Sequence, residues 1–164
     1  MYLKIEAPQR SISKEAVKVW RITETLANAG ILTVLGILYY LHMRFEWKEW
    51  IGWIILGVLI LTVLFAIWEI LFEPALKQKY WRYDVDENFI QLKYGALKEV
   101  NELVPMTKVQ SVELNQGPFL RKYGLYSIQI GTMGSGHAIP AISEKEAFEL
   151  RDQIAHYAKI KEVE

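Results

Sequence analysis

Apolar and polar residues alternate differently in the two halves of the chain. In the first half, two runs of 19 residues, 25–43 and 50–68, carry no fully charged side chain. At about 1.5 Å of rise per residue, a helix of that length spans roughly 28 Å, close to the hydrocarbon core of a bilayer. Both runs are apolar all round, whereas a helix packed on a small soluble core keeps a polar face. The pattern predicts two transmembrane helices, at about 25–43 and 50–72.

A short connection, residues 44–49, makes the two predicted helices an antiparallel hairpin with both chain ends on one side of the membrane. Cationic residues flank the hairpin on that side, and only two lie in the connection. Cytoplasmic segments are enriched in Lys and Arg, so both termini are predicted to be cytoplasmic. The flanking cations are Lys4, Arg10, Lys14, Lys18 and Arg21 before the hairpin, and Lys77, Lys79 and Arg82 after it.

Residues 1–24 form the predicted cytoplasmic N-terminal segment. Ser13 is a candidate helix N-cap, and Val17 and Trp20 follow it at positions that could face lipid. These residues predict a short interfacial helix, with a simple lead-in turn to the first span as the alternative.

Four polar residues fall inside the predicted spans, where ionisable and polar side chains are candidates for function. Glu69 is the only acidic one and lies about one turn from the cytoplasmic end of the second span. The sequence leaves open whether Glu69 is structural or belongs to a proton or ion pathway. The four residues are Asn28, Thr33, Thr62 and Glu69.

From residue 73 onward the period changes to two, which is typical of β-strands. Pro74 is predicted to close the second helix or start a linker. Ser143 and Glu146 form a capping-box pattern, so a helix is expected from there to about residue 159. The predicted fold of 73–164 is a bent antiparallel β-barrel or sandwich capped by a C-terminal helix, which makes it an α+β domain. The predicted strands are 80–85, 89–94, 98–104, 110–115, 125–132 and 137–142.

Composition removes several classes of function. The chain has no cysteine, which excludes disulfides, thiolate metal sites and a cysteine nucleophile. Residues 73–164 hold 12 Lys and Arg against 13 Asp and Glu, without the cationic excess that nucleic-acid binding needs. The three histidines lie in separate elements, and the glycine-rich stretch 131–136 lacks the Lys of a phosphate loop. We therefore expect no catalytic site, no metal site and no cofactor.

The motifs of the second half resemble a known family. Val104-Pro105 with Val109-Gln110 and Val112, then Gln116-Gly117-Pro118, Arg121, Gly124-Leu125, Gly131-Thr132 and Ile139-Pro140, are similar to the second family of bacterial pleckstrin-homology-like (PH-like) domains. Two spans followed by one such domain resemble the YdbS-like membrane proteins of Gram-positive bacteria. The resemblance implies a PH-like fold, a bacterial inner-membrane location and a larger companion protein with repeated PH-like domains. It implies no established activity.

The remaining candidates are binding residues. Exposed strand edges and the turn at 117–120 predict a docking face, so the first reading is a non-enzymatic adaptor in a membrane complex, with a role in envelope integrity or tolerance to membrane-active agents as a hypothesis from location. The alternative is a module that binds anionic lipid or senses membrane state, because cations near an anionic leaflet attract it. The turn 86–88 is acidic, which argues against a phosphoinositide site there. The contact candidates are Lys108, Arg121, Lys122, Lys77, Lys79, Arg82 and Phe119.

Overall fold

The computed structural model describes residues 7–159, which form two compact units. The first unit, residues 17–75, is a helical hairpin. Its helices are α1 (Ala16–Arg44) and α2 (Glu49–Leu71), and each is long and apolar enough to cross a membrane. Most of their large apolar side chains are exposed, which is the opposite of what a core helix of a soluble protein shows.

Contacts at both ends of the hairpin hold the two helices together. Near the chain ends, Asn28 Nδ2 donates a 3.1 Å hydrogen bond to Glu69 Oε2, and Asn28 is 6% exposed. Near the connection, the side chain of His42 lies against Gly52, where a Cβ atom would overlap the imidazole. Glu69 is therefore part of an interhelical hydrogen bond, the kind of contact by which polar groups bind helices together in lipid.

The N-terminal half of the hairpin differs from the sequence expectation. Helix α1 runs without interruption from Ala16 to Arg44, so no separate interfacial helix precedes the first span. Ser13 Oγ accepts a hydrogen bond from the backbone N–H of Glu15 at 3.2 Å, and Ser13 O accepts one from Ala16 at 3.2 Å. Ser13 therefore starts the spanning helix itself, because no helix-breaking residue separates 17–24 from the apolar run.

Pro74 does not start an irregular linker. A third helix, α3 (Glu73–Tyr80), follows α2 after Phe72, and Pro74 lies in its first turn. A proline is tolerated there because the first amides of a helix have no intrahelical acceptor to lose. The predicted strand at 80–85 is correspondingly shorter, since Tyr80 is the last residue of α3.

The second unit consists of residues 7–16 and 76–159 and contains two antiparallel sheets. One sheet has the order β1-β2-β3-β4 and the other β5-β6-β7. The two sheets do not close into a barrel. Of the two predicted architectures, a barrel or a sandwich, the domain therefore has the sandwich. The strands are β1 (Arg10–Ser11), β2 (Arg82–Val85), β3 (Phe89–Tyr94), β4 (Val100–Pro105), β5 (Val109–Asn115), β6 (Leu125–Thr132) and β7 (Gly136–Ser143).

The N-terminal segment belongs to this domain, which changes the predicted boundaries of 1–24 and 73–164. Arg10 pairs with Tyr83 and Ser11 with Arg82, so β1 extends the sheet of β2. Ile12 is 1% exposed, and its carbonyl accepts a hydrogen bond from Gln78 Nε2 at 3.3 Å. The membrane hairpin is thus inserted between the first and second strands of one domain. Lys4, one of the predicted flanking cations, lies outside the described residues.

Two short helices complete the domain: α4 (Pro118–Lys122) and α5 (Glu144–Tyr157). Helix α5 packs on the sheet β5-β6-β7 and buries Ala147, Leu150 and Ile154. The capping prediction is half right. Ser143 Oγ accepts from the Glu146 amide at 3.4 Å, but the Glu146 carboxylate accepts from Tyr83 Oη at 2.6 Å instead of turning back to the cap.

Tyr83 is the largest fully buried side chain in the core, at 0% exposed. Its burial, with the hydrogen bond to Glu146 as the second cause, raises the pKa of the Tyr83 phenol far above its ordinary value. The hydroxyl therefore stays protonated and tethers β2 to the first turn of α5.

Candidate binding surfaces

The three basic residues that follow the hairpin lie along one stretch of chain. Lys77 and Lys79 are exposed on α3, and Arg82 opens β2. Lys79 Nζ lies 5.6 Å from the centroid of the Tyr80 ring, and Arg82 Nη1 donates to the carbonyl of Trp81 at 2.8 Å. These residues place positive charge next to the second span, as the sequence predicts.

Lys108 does not join Arg121 and Lys122 in one patch. It ends the 3₁₀ turn that precedes β5, whereas the other two follow β5 in α4. The seven residues of β5 hold the two places roughly 20 Å apart, at about 3.3 Å per residue. All three side chains are exposed. The sequence alone could not give this separation, because it depends on the length of the strand.

The turn predicted at 117–120 is a helical turn, α4, with Gly117 before it. Gly117 is the N-cap of α4 and Pro118 occupies the first turn. Phe119 is half-buried, and Arg121 Nε donates to Gln116 Oε1 at 3.4 Å. Gly124 takes φ +60°, the left-handed conformation that returns the chain to β6. Phe119 therefore presents part of an apolar ring beside two exposed cations.

Strand β5 lies at the edge of its sheet, because within the described residues it pairs only with β6. It is seven residues long and ends two residues before α4. A long strand with one unpaired edge offers backbone N–H and C=O groups to another chain. We call this edge together with Gly117–Leu120 the β5–α4 surface. It contains the strand edge and the turn at 117–120 from which the sequence predicts a docking face, and that docking role stays a prediction.

A chain of polar side chains connects the two sheets, and sequence reasoning missed it. Tyr94 Oη donates to Glu102 Oε1 at 2.6 Å, and the other oxygen of Glu102 lies 2.8 Å from His137 Nδ1. Ser135 Oγ lies 2.9 Å from His137 Nε2 and 3.0 Å from Thr132 Oγ1. Glu102 belongs to β4 and His137 to β7, 35 positions apart, so only the packing of the two sheets brings them together.

The hydrogen bond from Tyr94 is the main cause that holds the pKa of the Glu102 carboxyl below its usual range, and His137 adds to the effect. The same bond raises the pKa of the Tyr94 phenol. Glu102 therefore remains ionised at neutral pH, and its charge is shared between two donors from different elements.

The order Ser135, His137, Glu102 has the hydrogen-bond sequence of a nucleophile, a base and an orienting carboxylate. The surroundings favour a structural role. The Ser135 amide already donates to Thr132 Oγ1 at 3.2 Å, and the Thr132 amide to the Ser135 carbonyl at 2.9 Å, so both groups close the β6–β7 turn. A serine nucleophile in acyl transfer also needs hydrogen-bond donors, such as free backbone amides, that point at the developing oxyanion. We interpret this series of hydrogen-bonded side chains as a structural bridge between the two sheets.

The glycine-rich stretch 131–136 contains the turn between β6 and β7, and Met133 there is 89% exposed. It lies between two strands and does not lead into a helix, which is the context expected for a hairpin tip. Among residues 7–159, no three His, Asp or Glu side chains converge as metal ligands would.

Comparisons with known proteins agree with this fold. The family model described as a bacterial PH domain matches residues 16–158. The transmembrane protein YdbS of Bacillus subtilis (strain 168) is 35% identical over 155 residues, which cover 94% of this chain and 96% of that protein. No solved structure matches. The matched residues include both candidate spans as well as the domain, and this confirms the predicted resemblance.

Proposed function

Since the chain belongs to the bacterial PH-domain family and is a membrane protein similar to YdbS over nearly its whole length, we propose that its PH-like domain is a non-enzymatic adaptor in a membrane complex. The partner in this proposal is a companion membrane protein that carries PH-like domains of its own. The domain would bind it by presenting the β5–α4 surface at the membrane.

The unpaired edge of β5 is the observation that carries the proposal. A strand from a second PH-like domain can add to such an edge through main-chain hydrogen bonds, and side-chain pockets then supply specificity. Phe119 is half-buried next to this edge, and a partly exposed aromatic ring is a common anchor in protein interfaces. Strand addition requires no catalytic group.

The insertion of the hairpin between β1 and β2 supports a single orientation. Residues on both flanks of the hairpin belong to one folded domain, so both ends of the hairpin lie on the same side of the membrane. The flanking cations select the cytoplasmic side by the positive-inside rule. The proposed location is therefore the bacterial inner membrane, as a multi-pass protein with both termini in the cytoplasm.

A role in envelope integrity or in tolerance to membrane-active agents extends the proposal from molecule to cell. It rests on the membrane location alone. Deletion of the gene should sensitise cells to membrane-active agents, and unchanged growth in their presence would remove this extension while leaving the adaptor role to be judged separately.

Binding of anionic lipid through the basic residues is the second candidate. The distance between Lys108 and the pair Arg121–Lys122 weakens it, because the three cations do not act on one headgroup. This candidate predicts that the full chain, reconstituted in vesicles, associates with anionic lipid in preference to neutral lipid. That preference should fall as salt is raised and in the double variant R121A/K122A.

Affinity purification of the tagged full-length chain from detergent-solubilised membranes, followed by mass spectrometry, tests the adaptor role. We expect one membrane protein to co-purify at a constant ratio and to survive moderate salt. Phe119→Ala should reduce its recovery several-fold, while Glu87→Ala, a change at an exposed residue in the turn between β2 and β3, should not. A chain that purifies alone, or partners lost equally from both variants, would contradict the proposal.

A further inference from the structure

Two hairpin tips of the domain expose single large apolar side chains. Leu97 lies in the turn between β3 and β4 and is 101% exposed, and Met133 lies in the turn between β6 and β7 and is 89% exposed. These are the two most exposed large apolar side chains in the described part of the chain, above any residue of the lipid-facing hairpin. Single exposed apolar side chains are common on protein surfaces, so the two tips indicate a contact surface only if they act together.

Both tips lie within five residues, along the chain, of one contact between the two sheets. Glu102, two residues after the start of β4, contacts His137, one residue after the start of β7. The same contact therefore brings together the turn that precedes β4 and the turn that precedes β7. Leu97 and Met133 belong to these two neighbouring turns.

Strand register places the Leu97 tip at the end of the sheet from which the chain continues to the membrane spans. Arg82, the first residue of β2 after α3, pairs with Lys93, which is next to the last residue of β3. Ser11, the last residue of β1 before the first span, pairs with Arg82. The rings of Trp81 and Tyr94 stack at this end with centroids 4.5 Å apart. The opposite end of β2 and β3 carries the acidic turn of Asp86 and Glu87.

The charges near the tips also suit a bilayer surface. Lys98 is exposed beside Leu97, and Lys93 forms a 2.9 Å ion pair with Glu99. Lys108 lies next to Val109, which pairs with Thr132 directly before Met133. Cations beside apolar side chains favour the headgroup layer. There the apolar side chains are buried, and the cations are attracted to anionic lipid.

We propose that Leu97 and Met133 insert into the headgroup and acyl boundary of the same bilayer that the hairpin crosses, so that the domain binds the lipid surface through two apolar tips. The ligand is the bilayer itself and not a single headgroup. The Met133 tip is separate from the α4 end of the β5–α4 surface, where Phe119 lies, since Met133 and α4 lie at opposite ends of β6.

The chain has no cysteine, so single cysteines can be introduced without a background. The test uses the full-length variants Leu97→Cys, Met133→Cys and Glu87→Cys, each labelled with the same nitroxide and reconstituted in phosphatidylcholine and phosphatidylglycerol nanodiscs. Glu87 is exposed in the opposite turn, and the six residues of β3 hold the two turns roughly 17 Å apart. Collisions with lipid-soluble oxygen and with a water-soluble nickel chelate report the depth of each label.

We expect the labels at 97 and 133 to show a ratio of oxygen to nickel collisions several-fold above that of the label at 87. Equal ratios at all three places would overturn the proposal. Labels at 97 and 133 that are shielded from both reagents would overturn it as well, because they would indicate a protein contact at the tips. The proposed adaptor role survives either result, since it depends on the β5–α4 surface.

Discussion

Replacing Ile12 by alanine tests whether the segment before the first span is part of the domain that follows the second span. Ile12 is 1% exposed, and its neighbours form a strand with β2 and a hydrogen bond with β7, in which the Ser13 amide donates to the Ala141 carbonyl at 3.1 Å. Truncation of the Ile12 side chain would leave a cavity in the domain core. Both membrane helices lie in the sequence between Ile12 and the strands that contact its segment.

The size of the effect follows from buried-core substitutions. Removing the side chain of a fully buried isoleucine to Cβ costs about 2–5 kcal/mol, and a domain of this size has a total stability of roughly 5–10 kcal/mol. A loss of about 3 kcal/mol corresponds to about a 100-fold faster exchange of amides that open only by global unfolding.

Hydrogen exchange with mass spectrometry, on the full chain in nanodiscs, is the assay. The reporters are the amides of Ile90 and Leu92 in β3, both buried and both far in sequence from Ile12. Ile31→Ala is the matched control, since Ile31 is 51% exposed within α1 and outside the domain. Unchanged protection of β3 in the Ile12 variant would refute the inclusion of the N-terminal segment in the core.

Two further predictions concern the hairpin and the polar bridge. Gly52→Leu should destabilise the helix pair by about 1–3 kcal/mol in detergent titrations, because His42 occupies the space, whereas Gly57→Leu, where a Cβ meets open space, should be nearly neutral. Glu102→Gln should cost about 1 kcal/mol at neutral pH by weakening the bonds to Tyr94 and His137, measured by chemical unfolding. The folded pKa of Glu102 is lowered, so its stabilisation is present above the unfolded value of 4.5 and is lost as pH falls through the folded value. The wild type should therefore lose stability on acidification below that pH more steeply than the variant, and parallel pH profiles would contradict the bridge.

The fold was predictable wherever the pattern was local. The two apolar runs lie inside α1 and α2, and the six predicted strands correspond to β2–β7, because alternation over five or more residues is a strong signal. Strand β1 was not predictable. It has two residues, and its partner β2 lies 71 positions away across both membrane helices, so no local pattern marks it.

The binding surfaces, like the fold, were predictable where they depend on residues close in sequence and not where they depend on distant contacts. Lys77, Lys79 and Arg82 lie where the sequence places them, since they are adjacent in the chain. The separation of Lys108 from Arg121 depends on β5 being extended, and the contact of Glu102 with His137 depends on how two sheets pack. The sequence shows only that His137 lies in a different element from the other two histidines, because Glu102 is 35 positions away from it.

Photo-crosslinking in living cells tests the central claim of an adaptor most directly. A benzoylphenylalanine at Phe119 places a reactive group in the β5–α4 surface, and the same residue at Glu87 is the control in an exposed turn. The account predicts one crosslinked membrane protein at 119 and none at 87. Crosslinks from 119 to lipid alone, or no crosslinks from a folded and abundant chain, would contradict it.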